Sequence, residues 1–203
     1  MSNSVMLRPH AHGGLGQYSL SAASGVMAAG LAANSPIFSI RWDNALNVAL
    51  IESIEFSAAV AGTAFAAGAA QVGLIFARAF TVSDTGGTPL TLTTNNAKRD
   101  TRMGTTLLTD ARIADTAALV AGTRVLDAQD LSRMMGSPGT ATTGAIWAGS
   151  TLLWHNYAQS HPLRIGEDEG LVIRATVPAT GTWTFAVTIH WVELEKYNVS
   201  SAT

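Results

Sequence analysis

The run Trp183-Thr184-Phe185-Ala186-Val187-Thr188-Ile189-His190-Trp191 alternates large apolar residues with small or polar ones. Trp183, Phe185, Val187, Ile189 and Trp191 share one face of an extended chain, and Thr184, Thr188 and His190 share the other. On a helix these residues would scatter round the axis, whereas period two is the repeat of a pleated strand. β-branched and aromatic residues dominate, so a half-buried antiparallel strand is predicted.

Similar patterns lie upstream. Phe38, Ile40 and Trp42 alternate with Ser39 and Arg41; Ile54, Phe56, Ala58 and Val60 alternate with Ser53, Glu55 and Ser57. Val72, Leu74, Phe76, Phe80 and Val82 are expected on one face, with Arg78 the exception. Further strands are expected at 91–94, 106–108, 112–113, 146–154, 163–165 and 171–177. Turns are expected at Ser83–Gly87, Gly166–Gly170 and Pro178–Gly181, where Gly, Pro, Asp and Thr cluster. Residues 95–144 are less regular, and a helical turn is expected at 114–118 or 128–135. Many short strands without alternating long helices predict an all-β antiparallel sandwich of jelly-roll type. No fixed-period repeat appears, which argues against a propeller or solenoid.

Residues 1–35 read differently. Gly and Ala are frequent, no period is sustained, and an extended N-terminal arm that orders against a partner is expected. The expected division is arm 1–35, sandwich 36–196 and C-terminal tail 197–203. Interrupting polar residues argue against a cleaved signal at 19–33, and no apolar run reaches the roughly 20 residues of a membrane-spanning helix.

Charged residues make up 13% of the 203-residue chain, against roughly 25% in an average soluble protein. Apolar residues make up 47%, enough for a sizeable core. So few charges protect an isolated molecule poorly against association, so a surface covered by partners is expected. A net charge of −2 and the lack of a basic run argue against nucleic-acid binding. The absence of cysteine removes disulfides, thiolate metal sites and cysteine nucleophiles.

No pattern carries catalysis. His10 and His12 lack a nearby carboxylate, His190 falls on the outward face of its strand, and His155 and His161 flank an aromatic loop. Glu167, Asp168 and Glu169 lack the spacing of a calcium loop and read as a solvated turn. Ser137 lies outside a nucleophile elbow, and Gly13-Gly14-Leu15-Gly16 lacks the lysine of a phosphate loop. Asn198-Val199-Ser200 fits a glycosylation acceptor, but no secretory signal accompanies it. No catalytic, metal or cofactor-binding residue is therefore assigned, and no cofactor is expected. Arg99, Arg102, Arg112, Arg124 and Arg133 interleave with aspartates, which suits either inter-subunit ion pairs or an ordinary surface loop. The large residues Tyr18, Met27, Leu31, Trp42, Trp147, Trp154 and Tyr157 are the candidate interface residues.

The segments Pro162–Arg174 and Gly181–Glu193 resemble the closing hairpin of jelly-roll proteins encoded among the virion genes of tailed bacteriophages. Ser24–Ala33, Gly62–Gly68, Ala79–Thr88 and Ala114–Ala128 are similar to the same group. The resemblance implies a non-enzymatic structural protein of the virion, made in the host cytoplasm. A capsid decoration (cement) protein, bound as a homotrimer to the major capsid protein, is the first expectation. A head-fibre, tail or baseplate component with a receptor- or carbohydrate-binding role is the alternative. The resemblance carries over no functional residue.

Overall fold

The computed structural model describes residues 14–156 and 162–196. Among these the strands are β1 (Gly14–Ala23), β2 (Met27–Ala28), β3 (Ser35–Trp42), β4 (Asn47–Ala61), β5 (Ala70–Val82), β6 (Thr88–Pro89) and β7 (Asp110–Ile113). They continue with β8 (Thr123–Leu126), β9 (Ser132–Gly136), β10 (Thr143–His155), β11 (Leu163–Ile165), β12 (Glu169–Thr176) and β13 (Thr182–Glu195). Sheet one runs β1-β13-β4-β10, with β2 also on β13 and β11 also on β4. Sheet two runs β6-β7-β3-β12-β5-β8, with β9 also on β5. All pairings are antiparallel.

The chain changes sheet between β2 and β3, β3 and β4, β4 and β5, β9 and β10, and at each step from β11 to β13. Sequence neighbours therefore face each other across the core, while ladder partners are distant in sequence. The paths β1-β13-β4-β10 and β3-β12-β5-β8 form a sandwich with jelly-roll connections. Phe38, Ile40 and Trp42 meet Val72, Leu74, Phe76, Leu171 and Ile173 on the inner face of sheet two. Opposite them stand Ile54, Phe56, Ala58 and Val60 of β4 and Trp183, Phe185, Val187 and Ile189 of β13. Phe56 stacks on Phe185 with centroids 5.7 Å apart and receives Trp147 edge-on at 5.7 Å.

Several expectations change. Residues 14–35 are not an arm. Gly16–Ala23 pairs residue by residue with Ala186–Glu193, Gly14 pairs with Leu194 across a bulge, and Tyr18 and Met27 are core side chains, so the sandwich takes in the chain from Gly14. Small residues hid this strand because its burial comes from β13, more than 160 positions away. Residues 1–13 and the tail 197–203 lie outside the described residues. No strand forms at 91–94 or 106–108. Leu90 instead bonds back to Ala111, and Thr106 and Leu107 are held by a side chain. The helical turns expected at 114–118 and 128–135 are absent, and Ser132–Gly136 is a strand against β5. Phe80 and Val82 leave the inner face, because Ala79 adopts a positive φ of 47° and turns the chain outward.

Glu193 ties the irregular middle of the chain to sheet one. β13 keeps its alternation through Trp191 and Glu193, both inward, while a bulge in β4 opposite His190 and Trp191, with Glu52 as the unpaired residue, lets Ile51 face inward as Ile54 does. Glu193 is fully buried, and its carboxylate accepts from the Thr106 hydroxyl, the Leu107 N–H at 3.1 Å and the Trp191 Nε1–H at 3.0 Å. Tyr18 stacks on Trp191 at 5.5 Å and donates its hydroxyl to the Gly104 carbonyl at 3.2 Å. Burial, with the Glu193 charge added, pushes the Tyr18 phenol up to about 12. Burial also raises the Glu193 carboxyl, against the pull of its hydrogen bonds.

Two outcomes follow. Deleting residues 1–35 removes β1 and exposes Trp191, so circular dichroism should show an unfolded or molten chain. A native, cooperatively melting product would mean that β1 is dispensable. For Glu193, the folded carboxyl lies above its unfolded value, so the native state binds the proton more tightly. Its contribution should therefore weaken as pH rises from the ordinary carboxylate range to the raised folded value. Denaturant titrations should show this decline in the wild type but not in Glu193→Gln. Glu193→Ala should cost about 3 kcal/mol, because it orphans the donors of Thr106, Leu107 and Trp191.

Candidate interaction surfaces

Of the six candidate interface residues that the structure describes, four are core residues. Tyr18, Met27 and Trp42 are at most 1% exposed, and Trp147 is 8% exposed. The Trp42 indole donates to the Asn44 and Asn47 carbonyls at 3.2 and 3.0 Å, pinning the turn into β4. Leu31 and Trp154 are half-buried against the same core. Tyr157 lies outside the described residues, as do His10, His12 and His161. Aromatic size marked burial here, as it does by default in a small sandwich.

The exposed apolar side chains lie elsewhere. Val82, Val120 and Val125 are each more than half exposed and belong to one flap on the outside of sheet two. Val82 and Val125 project outward from the β5–β8 ladder, in which Val82 pairs with Thr123 and Arg78 with Val125. Val120 bridges to Thr85 beside them. The underside of this flap is a second small core. Phe80, Ile75, Ala77 and Val172 pack there with Leu126 against them. Phe80 lies over Gly170, where a Cβ would come within 2.7 Å of its ring, so glycine is required for the approach.

A buried ion pair closes the flap. Arg124 and Asp84 bond directly with side chains 4% and 0% exposed, and Asp84 also accepts the Gly122 N–H at 2.9 Å. Arg124 stands 5.2 Å over the Phe80 ring. Burial pulls the Arg124 guanidinium down to about 10, which still leaves it charged at neutral pH opposite Asp84. Arg41 braces the flap's start, donating to Ser83 Oγ at 2.9 Å and to the carbonyls of Phe80 and Thr81 at 3.3 Å. These contacts anchor the flap to sheet two at several points.

The arginines of the middle section pair within the chain. Arg102 meets Asp100 at 2.8 Å, Arg112 meets Asp110 at 3.5 Å, and Arg133 and Arg174 share Asp130. Arg78 bridges Asp127 at 2.8 Å and Glu169 at 3.0 Å. Glu169 also accepts the Gly166 N–H at 2.8 Å, so the acidic turn folds back on itself and on β5. Of the two alternatives for these arginines, the pairs fall within one molecule, where they tie connecting segments to the strands.

A polar depression of about 390 Å³ opens on the outer face of sheet one, lined by Glu52, Ser53, Glu55, Arg99, His155, Asn156 and His190. His190 lies outward as the alternation predicts, with its Nδ1 buried and lacking a partner among the described residues. Sequence reasoning missed this grouping, because its members come from three strands and a loop. The only early signal was the outward face of β13. Among the described residues no three metal-ligating side chains converge.

No protein-family model matches this chain, and no curated protein matches it either. What the fold defines is its class, an all-β antiparallel sandwich. Replacing Asp84 with Asn leaves Arg124 charged and buried, so unfolding free energy should fall by about 3–5 kcal/mol. The paired change Asp84→Leu with Arg124→Met should recover most of that loss in urea titrations. A single Asp84→Asn variant as stable as the wild type would show that the pair does not hold the flap.

Proposed function

We propose that this chain is a non-enzymatic structural protein of a tailed-phage particle. Specifically, it is a capsid decoration protein that binds the head surface as a homotrimer and stabilises it. The observation that carries the reading is the flap bearing Val82, Val120 and Val125, an exposed apolar group fixed in place by a buried ion pair. Exposed apolar side chains on a rigid support lose little entropy on docking, which suits association rather than turnover. Two further observations support it. Ionisable groups inside the protein, such as Glu193 and Asp84, are engaged in holding loops. The outer edge of β1 is occupied by hydrogen bonds from Ser19 to Ala97 and from Arg99 to Gln17, so association at that edge is by side chains and not by strand addition.

In this reading many copies each cover an apolar seam between capsomers. Together they resist the outward pressure of packaged DNA, each through an interface above roughly 1,000 Å². The test is co-sedimentation of the purified protein with undecorated capsids, together with its mass in solution. A trimer should pellet with the capsids, and Val125→Asp combined with Val120→Asp should weaken binding at least about tenfold while leaving the melting temperature unchanged. Undiminished binding by that variant removes the flap from the interface. A protein that ignores capsids but binds tail components or host cells overturns the decoration role in favour of a fibre or tail role.

A further inference from the structure

We infer that the flap on sheet two holds its partner by strand addition, an extended and uncharged segment of the partner polypeptide pairing with the outward edge of β8. The inference rests on the flap as the docking surface and names what docks there. The Asp127 N–H bonds to the Phe76 carbonyl, and Leu126 and Val125 stand opposite Ala77 and Arg78. Main-chain groups alternate in an antiparallel ladder, so Val125 and Asp127 turn theirs towards β5 while Arg124 and Leu126 turn theirs away. β8 ends the path of sheet two on this side. Among the described residues, the outward N–H and C=O groups of Arg124 and Leu126 meet no partner.

The other sheet edges are closed. β1 is bonded by residues 97–99, and β6 ends in Pro89. β9 runs against β10, where Gly136 lies under Trp147, and β10 changes register three times against β4. β8 has no proline or lysine to blunt it, and its one charge is matched by Asp84. The extra residues of this ladder belong to β5, between Arg78 and Val82, so Thr123–Leu126 stays an unbroken strand.

The surroundings of the edge define its occupant. Val82, Val120, Thr123 and Val125 are the exposed side chains there. The neighbouring charges are matched already, Arg124 by Asp84, Arg78 by Asp127 and Glu169, and Arg41 by Asp43. A charged residue brought against β8 would lose water without gaining a counterion, so the pairing stretch is uncharged. In an antiparallel pairing, the residue opposite Val125 sits between ladder bonds, where side chains approach closest, and is apolar to match it. Its two neighbours fall on the face where Arg124 lies over the Phe80 ring and Leu126 packs, and apolar residues there extend that small core.

The probe is the acetylated and amidated peptide Ser-Thr-Val-Val-Val-Thr-Ser, titrated into isotope-labelled full-length protein and followed by NMR. It should saturate with a dissociation constant on the order of millimolar. Solvent exchange of the Arg124 and Leu126 amides should then slow at least about tenfold, while the Asp127 amide, already bonded to Phe76, hardly changes. The same peptide N-methylated at its valines keeps the side chains but cannot donate, and should bind at least about tenfold more weakly. Val125→Asp in the protein should weaken binding of the parent peptide by a similar factor. A peptide that fails to bind, leaves both amides unchanged, or binds equally well when methylated overturns the inference. Amides of Arg124 and Leu126 that slow with protein concentration alone also overturn it, since a second copy then holds the edge. Peptide pairing by a protein that ignores capsids upholds the β8 site and counts against the decoration role alone. Capsid binding without peptide pairing overturns strand addition alone.

Discussion

Strand β13 is hydrogen-bonded along both edges, to β1 on one side and to β4 on the other, and this double ladder constrains everything around it. Its alternation fixes which face of sheet one is dry. A slip of one residue against β4 would turn five aromatic or branched side chains to water and bury Thr184, Thr188 and His190. Because β1 and β4 share its register, their inward residues are chosen by it as well. Tyr18 stacks on Trp191, and Phe56 on Phe185, because those positions are opposite or diagonal across the ladders.

The end of β13 shows how the sandwich accommodates polarity. Beyond the bulge, the segment 104–107 is bonded to the inward side chains Tyr18 and Glu193. A loop brings unpaired backbone donors with it, and Glu193 is the group that meets them. The outside of sheet two repeats the solution. There the flap over Phe80 is anchored by Asp84, which serves both the Gly122 amide and Arg124. In both places a carboxylate remote in sequence stitches a connection onto a sheet.

What the sequence revealed followed the range of the interactions responsible. β3, β4, β12 and β13 were readable because their alternation is written into consecutive residues. The turns at 166–170 and 178–181 were readable from their glycines and proline. β1 was not, since Ser, Ala and Gly carry little strand preference and its place depends on a partner far along the chain. Trp42, Trp147 and Tyr18 were misread as contact residues because bulk alone does not distinguish a core from an interface. The pairing of Arg124 with Asp84, and the gathering of Glu52, Glu55, His155 and His190, depend on crossovers that no local pattern encodes.

The juxtaposition of β1 and β13 also has a consequence for synthesis. The ladder β1-β13-β4 cannot form until residues 182–195 have emerged from the ribosome, so β1 and β4 wait for their shared neighbour while the whole stretch between β4 and β13 is made. Meanwhile Tyr18, Met27 and the inward face of β4 are exposed on a nascent chain that cannot yet cover them. Topologies dominated by such distant pairings fold slowly and collapse late. A protein of this kind is born vulnerable and becomes robust in a single late step. In that interval these apolar faces are the ones open to non-native association.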